Sequence, residues 1–451
     1  MNVNRVRVIP EHWLAVALVM AGAWCGPALA IDLVTAYRQA EKNDPTFEAS
    51  RHGHDANRTR IAQTRAGLLP ELRLTGRTDR ADGEVSFDQT PAVERSIRSH
   101  DLRLELTQPL IRVQNWAAYN QARLLVVQSE AQLALARQEL ILRVAQAYFD
   151  VLSAEDNVQV AQAQKQAVNA QLDLVTRGQR AGTSTITDVH EARSRADLAE
   201  SQAIAARNEL EVKRSLLEQV VGTPPGNLTP LRANTALPAP APANLQAWTR
   251  AAREHHPTVL ASRSGVEIAE REVTRAKAGH YPTLDLVAST GRDYSSGSLT
   301  SPTNLETRSE TTRVGVTMNF PLFAGGGVNA RVQEAQSLVY KARAEHEAAR
   351  RRAEHEARQA YSGVLNGQAQ MIAMGQAVKS SESAVQGNRI GHRVGTRLSV
   401  DVLNAEQQLY AAQRDLARAR YETLMQGLRL KAAAGRLGPD DLQAVNTLLG
   451  R

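Results

Sequence analysis

The chain has 451 residues, a formal net charge of +7 and only 4% aromatic residues. A single compact core of this size would ordinarily contain more aromatic side chains, and acidic and basic residues interleave instead of forming the basic cluster that nucleic-acid binding needs. The only cysteine, Cys25, lies in the N-terminal segment, which leaves the rest of the chain without disulfides or a thiol nucleophile.

Residues 1–30 have the features of a secretory signal. Arg5 and Arg7 precede an apolar stretch, and Ala28-Leu29-Ala30 supplies small residues at a cleavage position. The apolar stretch is shorter than the ~20 residues of a membrane helix. We therefore expect cleavage before Ile31 and export from the cytoplasm.

The remaining sequence is an internal duplication. Ala49-Ser50-Arg51 recurs 212 positions later, and Asp188-Val189 recurs 213 positions later as Asp401-Val402. A repeat that keeps its register over this length predicts two similar structural units. The predicted parts are a first repeat at 31–221, a proline-rich linker at 222–244, a second repeat at 245–435 and a C-terminal tail at 436–451.

Each repeat opens with a predicted helix, over 32–67 and 245–279, and two alternating segments follow. Apolar and polar residues alternate in 71–75 and 102–107, and again in 284–286 and 314–320. This alternation predicts two amphipathic strands per repeat. It is typical both of a half-buried strand in a soluble sheet and of a membrane barrel strand, so the pattern alone leaves both possibilities open.

The third part of each repeat predicts a long helix and a shorter returning one. Residues 110–179 contain no proline, and their apolar residues recur at a 3.5-residue spacing that is typical of coiled coils. A helix of about 70 residues would be about 105 Å long. Turns at Gly182 and Gly395 lead into predicted return helices at about 186–221 and 400–434. Stacked end to end, the opening and return helices match the long helix in length.

Four strands are too few to close a membrane barrel, which needs about eight. An open sheet would leave unpaired edges in hydrocarbon, so several subunits must share one barrel. Two copies would give eight strands and three would give twelve, and counting alone does not choose between them. A periplasmic coiled-coil scaffold without a pore is the alternative, but a scaffold has no use for amphipathic strands.

The sequence resembles the TolC family of outer-membrane export ducts over nearly its whole mature length. The motifs that carry the resemblance are Pro282-Thr283-Leu284-Asp285-Leu286, Pro321-Leu322 with Gly325-Gly326-Gly327, Gln146-Ala147-Tyr148-Phe149, Val394-Gly395-Thr396-Arg397 with Val400-Asp401-Val402-Leu403, and Ile186-Thr187-Asp188-Val189. The resemblance implies a mainly α-helical, duplicated protomer. Three copies would form a 12-stranded outer-membrane β-barrel joined to a long periplasmic α-helical barrel.

The resemblance also implies a gate beside the two turns. Asp401 would form a ring of like charges, which attracts cations and raises carboxylate pKa values. The family has a second ring aspartate where this chain has Asn404, and a tyrosine where it has His392. Arg397 would bind Thr187 and Asp188 across helices to hold the gate closed. Histidine at this position would make closure depend on pH near 6 to 7.

The turns themselves are expected to contact a partner. The resemblance implies that Gly182, Thr183, Gly395 and Thr396 meet a periplasmic adaptor, which works with an inner-membrane ABC or proton-driven transporter. The sequence contains no phosphate-binding loop, no catalytic constellation and no convincing metal-ligand cluster. We therefore expect no enzyme activity and no cofactor. The cargo is protein, drug or both, with protein secretion by a type I system favoured.

Overall fold

The computed structural model describes residues 30–88, 90–232 and 238–450. Apart from Ala30, the predicted signal lies outside these ranges. The described residues form the helices α1 Leu33–Asn43, α2 Pro45–Ala66, α3 Val113–Arg180, α4 Ile186–Val221, α5 Leu245–His255, α6 Pro257–Lys277, α7 Gly327–Arg393, α8 Ser399–Ala433 and α9 Pro439–Asn446, with a short 3-10 turn at Ala278–His280. None of these helices combines the length and apolarity needed to cross a membrane.

Four strands form one antiparallel sheet in the order β1-β2-β3-β4. The strands are β1 Glu71–Val85, β2 Val93–Ile111, β3 Thr283–Ser295 and β4 Thr307–Asn319. They extend well beyond the short alternating segments from which they were predicted. Within the described ranges no further strand pairs with β1 or β4, so both strands are edges of the sheet.

Up to the irregularity between Pro109 and Ile111 of β2, the register places the even-numbered residues of the four strands on one face. Leu72 lies opposite Leu106, which lies opposite Ala288, which lies opposite Val314. The apolar residues of this even-numbered face are largely exposed; Val314, for example, is 72% exposed. The odd-numbered face carries ion pairs such as Arg77 with Asp79 at 2.6 Å. Where the strands adjoin the helices, the sheet therefore has one apolar and one charged face, as the alternation predicts.

The opening helix of each repeat differs from the prediction, because each is two helices rather than one. The breaks fall at Asp44 and His256, which both precede a proline. Proline disfavours the α conformation of the residue before it. Asp44 then caps α2, since its Oδ1 accepts from the backbone N–H of Phe47 at 2.7 Å.

The chain folds into two compact units, and each contains parts of both repeats. One consists of the described residues up to Glu48, with Arg137–Trp248 and the residues from Glu356 onward. The other consists of Ala49–Ala136 and Thr249–His355 and includes the sheet. The predicted repeat boundaries therefore describe the chain's sequence symmetry, whereas the compact units cut across them.

In the first unit, α3 and α4 pack through the predicted apolar seam. Val168 of α3 and Ala192 and Ala196 of α4 share one buried cluster. Ala161 and Ala203 belong to another. The buried residues of α4 are mostly alanine, and small side chains allow the two helix axes to approach closely. The polar seam residue Lys165 forms an ion pair with Glu200.

The linker and the C-terminal tail of the same unit contact each other. Leu231 forms an antiparallel bridge with Leu449, and the N–H of Gly450 donates to the carbonyl of Pro230 at 2.9 Å. The first linker residue, Gly222, ends α4 with a φ of +82°. The linker and the C-terminal tail therefore lie side by side in this unit.

Candidate functional site

Two turns join the long helices to their return helices. We call residues 178–188 the first tip and residues 391–401 the second tip. The glycine at the centre of each turn has a left-handed backbone, with φ of +76° at Gly182 and +81° at Gly395. Residues with a Cβ seldom adopt this conformation, so glycine is required at both positions.

A second glycine in each tip permits a close approach that was not predicted. A Cβ at Gly178 would lie 2.6 Å from Ser184 Oγ, and one at Gly391 would lie 2.7 Å from Arg397 Cγ. The carbonyl of Gly178 accepts from the backbone N–H of Thr183 at 2.8 Å, and that of Gly391 accepts from Thr396 at 2.9 Å. The two tips therefore share one backbone design.

The first tip begins α4 with a complete capping box. The N–H of Asp188 donates to Thr185 Oγ1 at 3.1 Å. In return, Asp188 Oδ2 accepts from the backbone N–H of Thr185 at 2.8 Å and from its hydroxyl at 2.7 Å. These hydrogen bonds from Thr185 are the main cause that lowers the pKa of Asp188 within the protomer, and the nearby His392 adds to the effect. Within the protomer, the carboxylate of Asp188 therefore acts as a helix cap.

The second tip begins α8 with only half of this arrangement. Leu398 occupies the position of Thr185 and has no side-chain oxygen to offer. Asp401 Oδ2 accepts one hydrogen bond, from the backbone N–H of Leu398 at 3.2 Å. Its other neighbour is Arg397, whose Nη1 lies 4.0 Å from Asp401 Oδ2. Asp401 is consequently held less tightly by its own chain than Asp188 is.

His392 closes the second tip from the end of α7. Its Nδ1 lies 3.2 Å from the carbonyl oxygen of Arg397, so Nδ1 carries the proton in this contact. The imidazole also lies near enough to Asp188 to lower the pKa of that carboxyl. His392 therefore brings the second tip into electrostatic contact with the first.

The start of α8 is docked against α3 and α4. Gln171 Nε2 of α3 donates to the buried Ser399 Oγ at 3.0 Å. Leu403, which is 4% exposed, joins the α3–α4 cluster around Val168 and Ala192. This small apolar contact is the core of the junction.

An arginine that was not predicted bridges the same junction. Arg195 of α4 donates through Nη2 to Asn404 Oδ1 at 3.1 Å and through Nη1 to Gln407 Oε1 at 2.7 Å. Asn404 thus accepts a hydrogen bond from the neighbouring helix. The two partners are 209 positions apart, and nothing in the sequence pattern pairs them.

Within the second hairpin, α7 and α8 are joined by an ion pair between a half-exposed arginine and a buried glutamate. Arg389 Nη2 lies 2.6 Å from Glu406 Oε1, and the glutamate side chain is only 4% exposed. Removing Arg389 would leave the buried charge of Glu406 without its partner, which is destabilising. Arg389 and Glu406 therefore fix the second hairpin as one body.

The structure brings most of the predicted gate residues together, but with different pairings. In the described part of the protomer, no hydrogen bond or ion pair joins Arg397 to Thr187 or Asp188; Arg397 instead lies beside Asp401. Thr187 is exposed. The expected pairing of Arg397 with Thr187 and Asp188 stays a prediction for an assembled, closed gate.

The centres of the two turns are exposed, as a contact surface requires. Gly182, Thr183, Gly395 and Thr396 all lie at the surface. Val394 and Leu398 beside them are 67% and 68% exposed. Among the described residues, no group of three or more His, Cys, Asp or Glu side chains is placed to hold a metal ion.

Comparison with protein families gives a match over both repeats. The family model described as "Outer membrane efflux protein" matches residues 36–223 and 248–436. The Pseudomonas aeruginosa alkaline protease secretion protein AprF is 32% identical over 93% of this chain and 87% of its own length. The outer membrane protein TolC of Escherichia coli is 32% identical over 93% of this chain and 85% of its own length.

Solved structures give the same fold. The outer membrane protein VceC of Vibrio cholerae superposes with a TM-score of 0.76 at 20% identity, over 89% of this chain and 96% of that one. The CmeC outer membrane channel of Campylobacter jejuni superposes with a TM-score of 0.78 at 16% identity, over 92% of this chain and 89% of that one.

Proposed function

The chain belongs to the outer membrane efflux protein family, and from this premise we propose that three copies form the exit duct of a tripartite type I secretion system. The duct carries protein across the outer membrane and is gated at the two tips. The family is one of outer-membrane channels rather than enzymes. Transport energy therefore comes from an inner-membrane partner.

The observation that carries this proposal is the sheet. Towards the helices its even-numbered face is apolar and largely exposed, and its strands β1 and β4 have no further strand partner in the described ranges. Exposed apolar residues on a four-stranded sheet suit contact with lipid, and unpaired edges in lipid are costly. Pairing β1 of one copy with β4 of the next removes both edges and closes a ring.

Three copies are favoured over two by the family. Three copies give twelve strands, consistent with the trimer implied by the resemblance to the TolC family. Native mass spectrometry of the detergent-extracted protein tests this directly. Three chains per particle are expected, and a dimer or a monomer contradicts the proposed barrel.

The gate is proposed to open by parting α8 from α3 and α4. Three contacts oppose this movement: Gln171 with Ser399, Arg195 with Asn404 and Gln407, and the burial of Leu403. In the assembled gate, Arg397 exchanges Asp401 for Thr187 and Asp188 of the adjoining hairpin. Replacing Arg397 with serine is then expected to raise the single-channel conductance in planar bilayers, and an unchanged conductance removes Arg397 from the gate.

Ion selectivity follows from the same residues. Asp401 supplies one charge per subunit to the proposed ring, and the neutral Asn404 supplies none. Fewer ring carboxylates attract cations less strongly. Replacing Asn404 with aspartate is expected to shift the reversal potential towards greater cation selectivity, whereas an unchanged potential places Asn404 away from the pore.

The adaptor is proposed to dock on the exposed turns. Gly182, Thr183, Gly395 and Thr396 provide exposed backbone, and Val394 adds an exposed apolar side chain. Apolar side chains at a surface rimmed by polar groups are typical of a protein contact. Site-specific crosslinking from Thr183 and Thr396 should capture a periplasmic adaptor, and crosslinks to an adaptor only from the sheet would contradict this docking.

Protein cargo is favoured by the names of two relatives. AprF is described as an alkaline protease secretion protein, and PrtF of Dickeya chrysanthemi, 31% identical over 95% of this chain, as a proteases secretion protein. Comparing the secreted proteins of a deletion strain with those of its parent tests the cargo class. Loss of a secreted protein is expected, and an unchanged profile with drug sensitivity would instead indicate efflux.

A further inference from the structure

The even-numbered face of the sheet changes character towards the two hairpin loops. On β1 and β2 this face is apolar from Leu72 and Leu106 up to Leu102. On β3 and β4 the row of Leu102 already contains Arg292 and Glu310, which form an ion pair at 3.4 Å, and the next two rows are basic and aromatic. The first basic and aromatic rows on this face contain Arg80, Arg98, His100, Arg292, Tyr294 and Arg308. We call these six residues the basic rim.

Two arginines of the basic rim lie directly opposite each other. Arg80 of β1 pairs in register with Arg98 of β2. Like charges directly opposite on one face of a sheet destabilise it, so this pair does not stabilise the fold. Arg80 has a partial counter-ion in Asp82, with Nε 3.2 Å from Oδ1. Within the described ranges, no ion pair of Arg98 is found.

An aromatic platform continues the rim across β2, β3 and β4. The ring of His100 stacks on that of Tyr294 at 5.7 Å with an interplanar angle of 12°. The guanidinium of Arg308 lies over the Tyr294 ring, 5.7 Å from its centroid. Arg308 also pairs with Glu306 at 2.7 Å. Stacking holds these cationic and aromatic groups in place on the surface.

The height of the rim matches the edge of a membrane. Leu284 and Tyr294 are ten residues apart on β3, which is about 33 Å along a strand. A tilt of about 40° reduces this to about 25 Å, the height of the apolar band of outer-membrane barrels. The strands join helices at their Leu284 end and loops at their Tyr294 end, so the rim lies at the outer-leaflet boundary.

We infer that the basic rim binds the phosphate groups of an anionic glycolipid in the outer leaflet. Arginine is suited to phosphate because its guanidinium can donate two hydrogen bonds to one phosphate. The next rows towards the loop carry acidic residues, since Glu84 lies opposite Glu94 and Asp82 opposite Ser96. These carboxylates confine the phosphates to the arginine row. This inference concerns the lipid-facing surface and is independent of the proposed gate, adaptor and cargo.

The test measures binding of bisphosphorylated lipid A to the detergent-extracted protein. The double variant Arg80→Gln/Arg98→Gln is expected to bind at least about fivefold more weakly. The variant Arg80→Lys/Arg98→Lys keeps the charges but not the paired hydrogen bonds, so its affinity should lie between those of the native protein and the double glutamine variant. The matched control is Arg77→Gln/Arg313→Gln, which removes one paired and one unpaired arginine from the odd-numbered face and should leave binding unchanged.

Three further binding measurements identify the chemical group that the basic rim recognises. Lipid A without phosphates should bind as weakly to the native protein as the phosphorylated lipid does to Arg80→Gln/Arg98→Gln. Binding should persist in EDTA, because the arginines contact phosphate directly. Equal affinity of the native protein and the double glutamine variant overturns the inference, as does competition by millimolar inorganic phosphate, which would indicate a free-anion site.

Discussion

The first and second tips have the same backbone conformation but differ in the hydrogen bonds that their side chains make. Gly182 and Gly395 adopt the same left-handed conformation, and Gly178 and Gly391 make the same close approach. The Asp188 carboxylate accepts hydrogen bonds from both the backbone N–H and the hydroxyl of Thr185, whereas Asp401 receives only one backbone hydrogen bond from Leu398. The two repeats therefore share the conformation of the turn and differ in the residue that caps the helix after it.

In the proposed gate, this difference assigns the first tip to the fixed part and the second tip to the part that moves. The first tip satisfies its own polar groups locally, which favours a fixed element. The second tip leaves Asp401 and Arg397 with one weak mutual contact, and α8 relies on contacts with α3 and α4 to hold its position. A gate needs such a pair of elements, because a moving part must have contacts that it can exchange.

The largest expected effect comes from removing the apolar contact that α8 makes with α3 and α4. Replacing Leu403 with alanine should lower the free energy of opening at the start of α8 by about 2–3 kcal/mol. Hydrogen exchange of peptides covering residues 399–407 measures this. The control Leu398→Ala alters a leucine that is 68% exposed, so it should change exchange little. Equal exchange in both variants would show that Leu403 does not hold α8.

The next largest effect is expected from replacing the left-handed glycine of the second tip. Replacing Gly395 with valine puts a β-branched residue at a φ of +81°, which should cost about 1–2 kcal/mol in the stability of the second tip. Faster exchange of residues 391–401 checks this. Gly387→Ala is the control, since its Cβ would meet nothing within 4 Å. If both variants exchange alike, the turn does not depend on the left-handed residue.

Changing the N-cap residues of α4 and α8 tests whether these residues account for the difference between the two tips. Thr185→Ala should destabilise the start of α4 by about 1 kcal/mol, and Leu398→Thr should stabilise the start of α8 by up to a similar amount. Hydrogen exchange at residues 186–190 and 399–403 reports each helix start separately. A loss in the first tip without any gain in the second would mean that more than the cap residue distinguishes them.

A smaller effect is expected in the titration of Asp188. Its pKa is lowered by the Thr185 hydrogen bonds, so its contribution to stability is complete above the ordinary aspartate pKa and is lost as pH falls through the lowered value. Thr185→Ala should raise the pKa of Asp188 towards its ordinary value. Carboxylate 13C shifts, assigned with Asp188→Asn, measure it. An unchanged pKa would exclude Thr185 as the cause.

The smallest effect tests the link between the tips. His392 contributes the weakest of the effects that lower the pKa of Asp188. His392→Gln should therefore raise the pKa of Asp188 by less than Thr185→Ala does, in the same carboxylate 13C titration. A rise equal to or larger than that of Thr185→Ala would contradict this order of the two causes.

Much of the fold followed from local patterns in the sequence. Alternation at 102–107 predicted a strand, the 3.5-residue spacing predicted the α3–α4 seam, and Gly182 and Gly395 marked the turns. The errors had local causes as well. The opening helices were predicted without breaks, although Pro45 and Pro257 disfavour helix at the residues before them.

The contacts of the candidate site were harder to predict. Arg195 meets Asn404 across 209 positions, and such a pairing depends on how two helices pack rather than on any local pattern. Gly178 and Gly391 could have been found, since both lie at equivalent positions of the duplication. Asp188 was assigned to the gate from a resemblance, and its capping role appeared only with the hydrogen bonds of Thr185.

The central claim is that contacts between α8 and the first hairpin hold the duct closed, and single-channel conductance of Arg195→Ala in planar bilayers tests it most directly. The variant removes the hydrogen bonds to Asn404 and Gln407, while Arg193→Ala on the same helix removes an equal charge without them. The account predicts a higher conductance for Arg195→Ala than for the native channel and for Arg193→Ala. A conductance equal in all three proteins would contradict it.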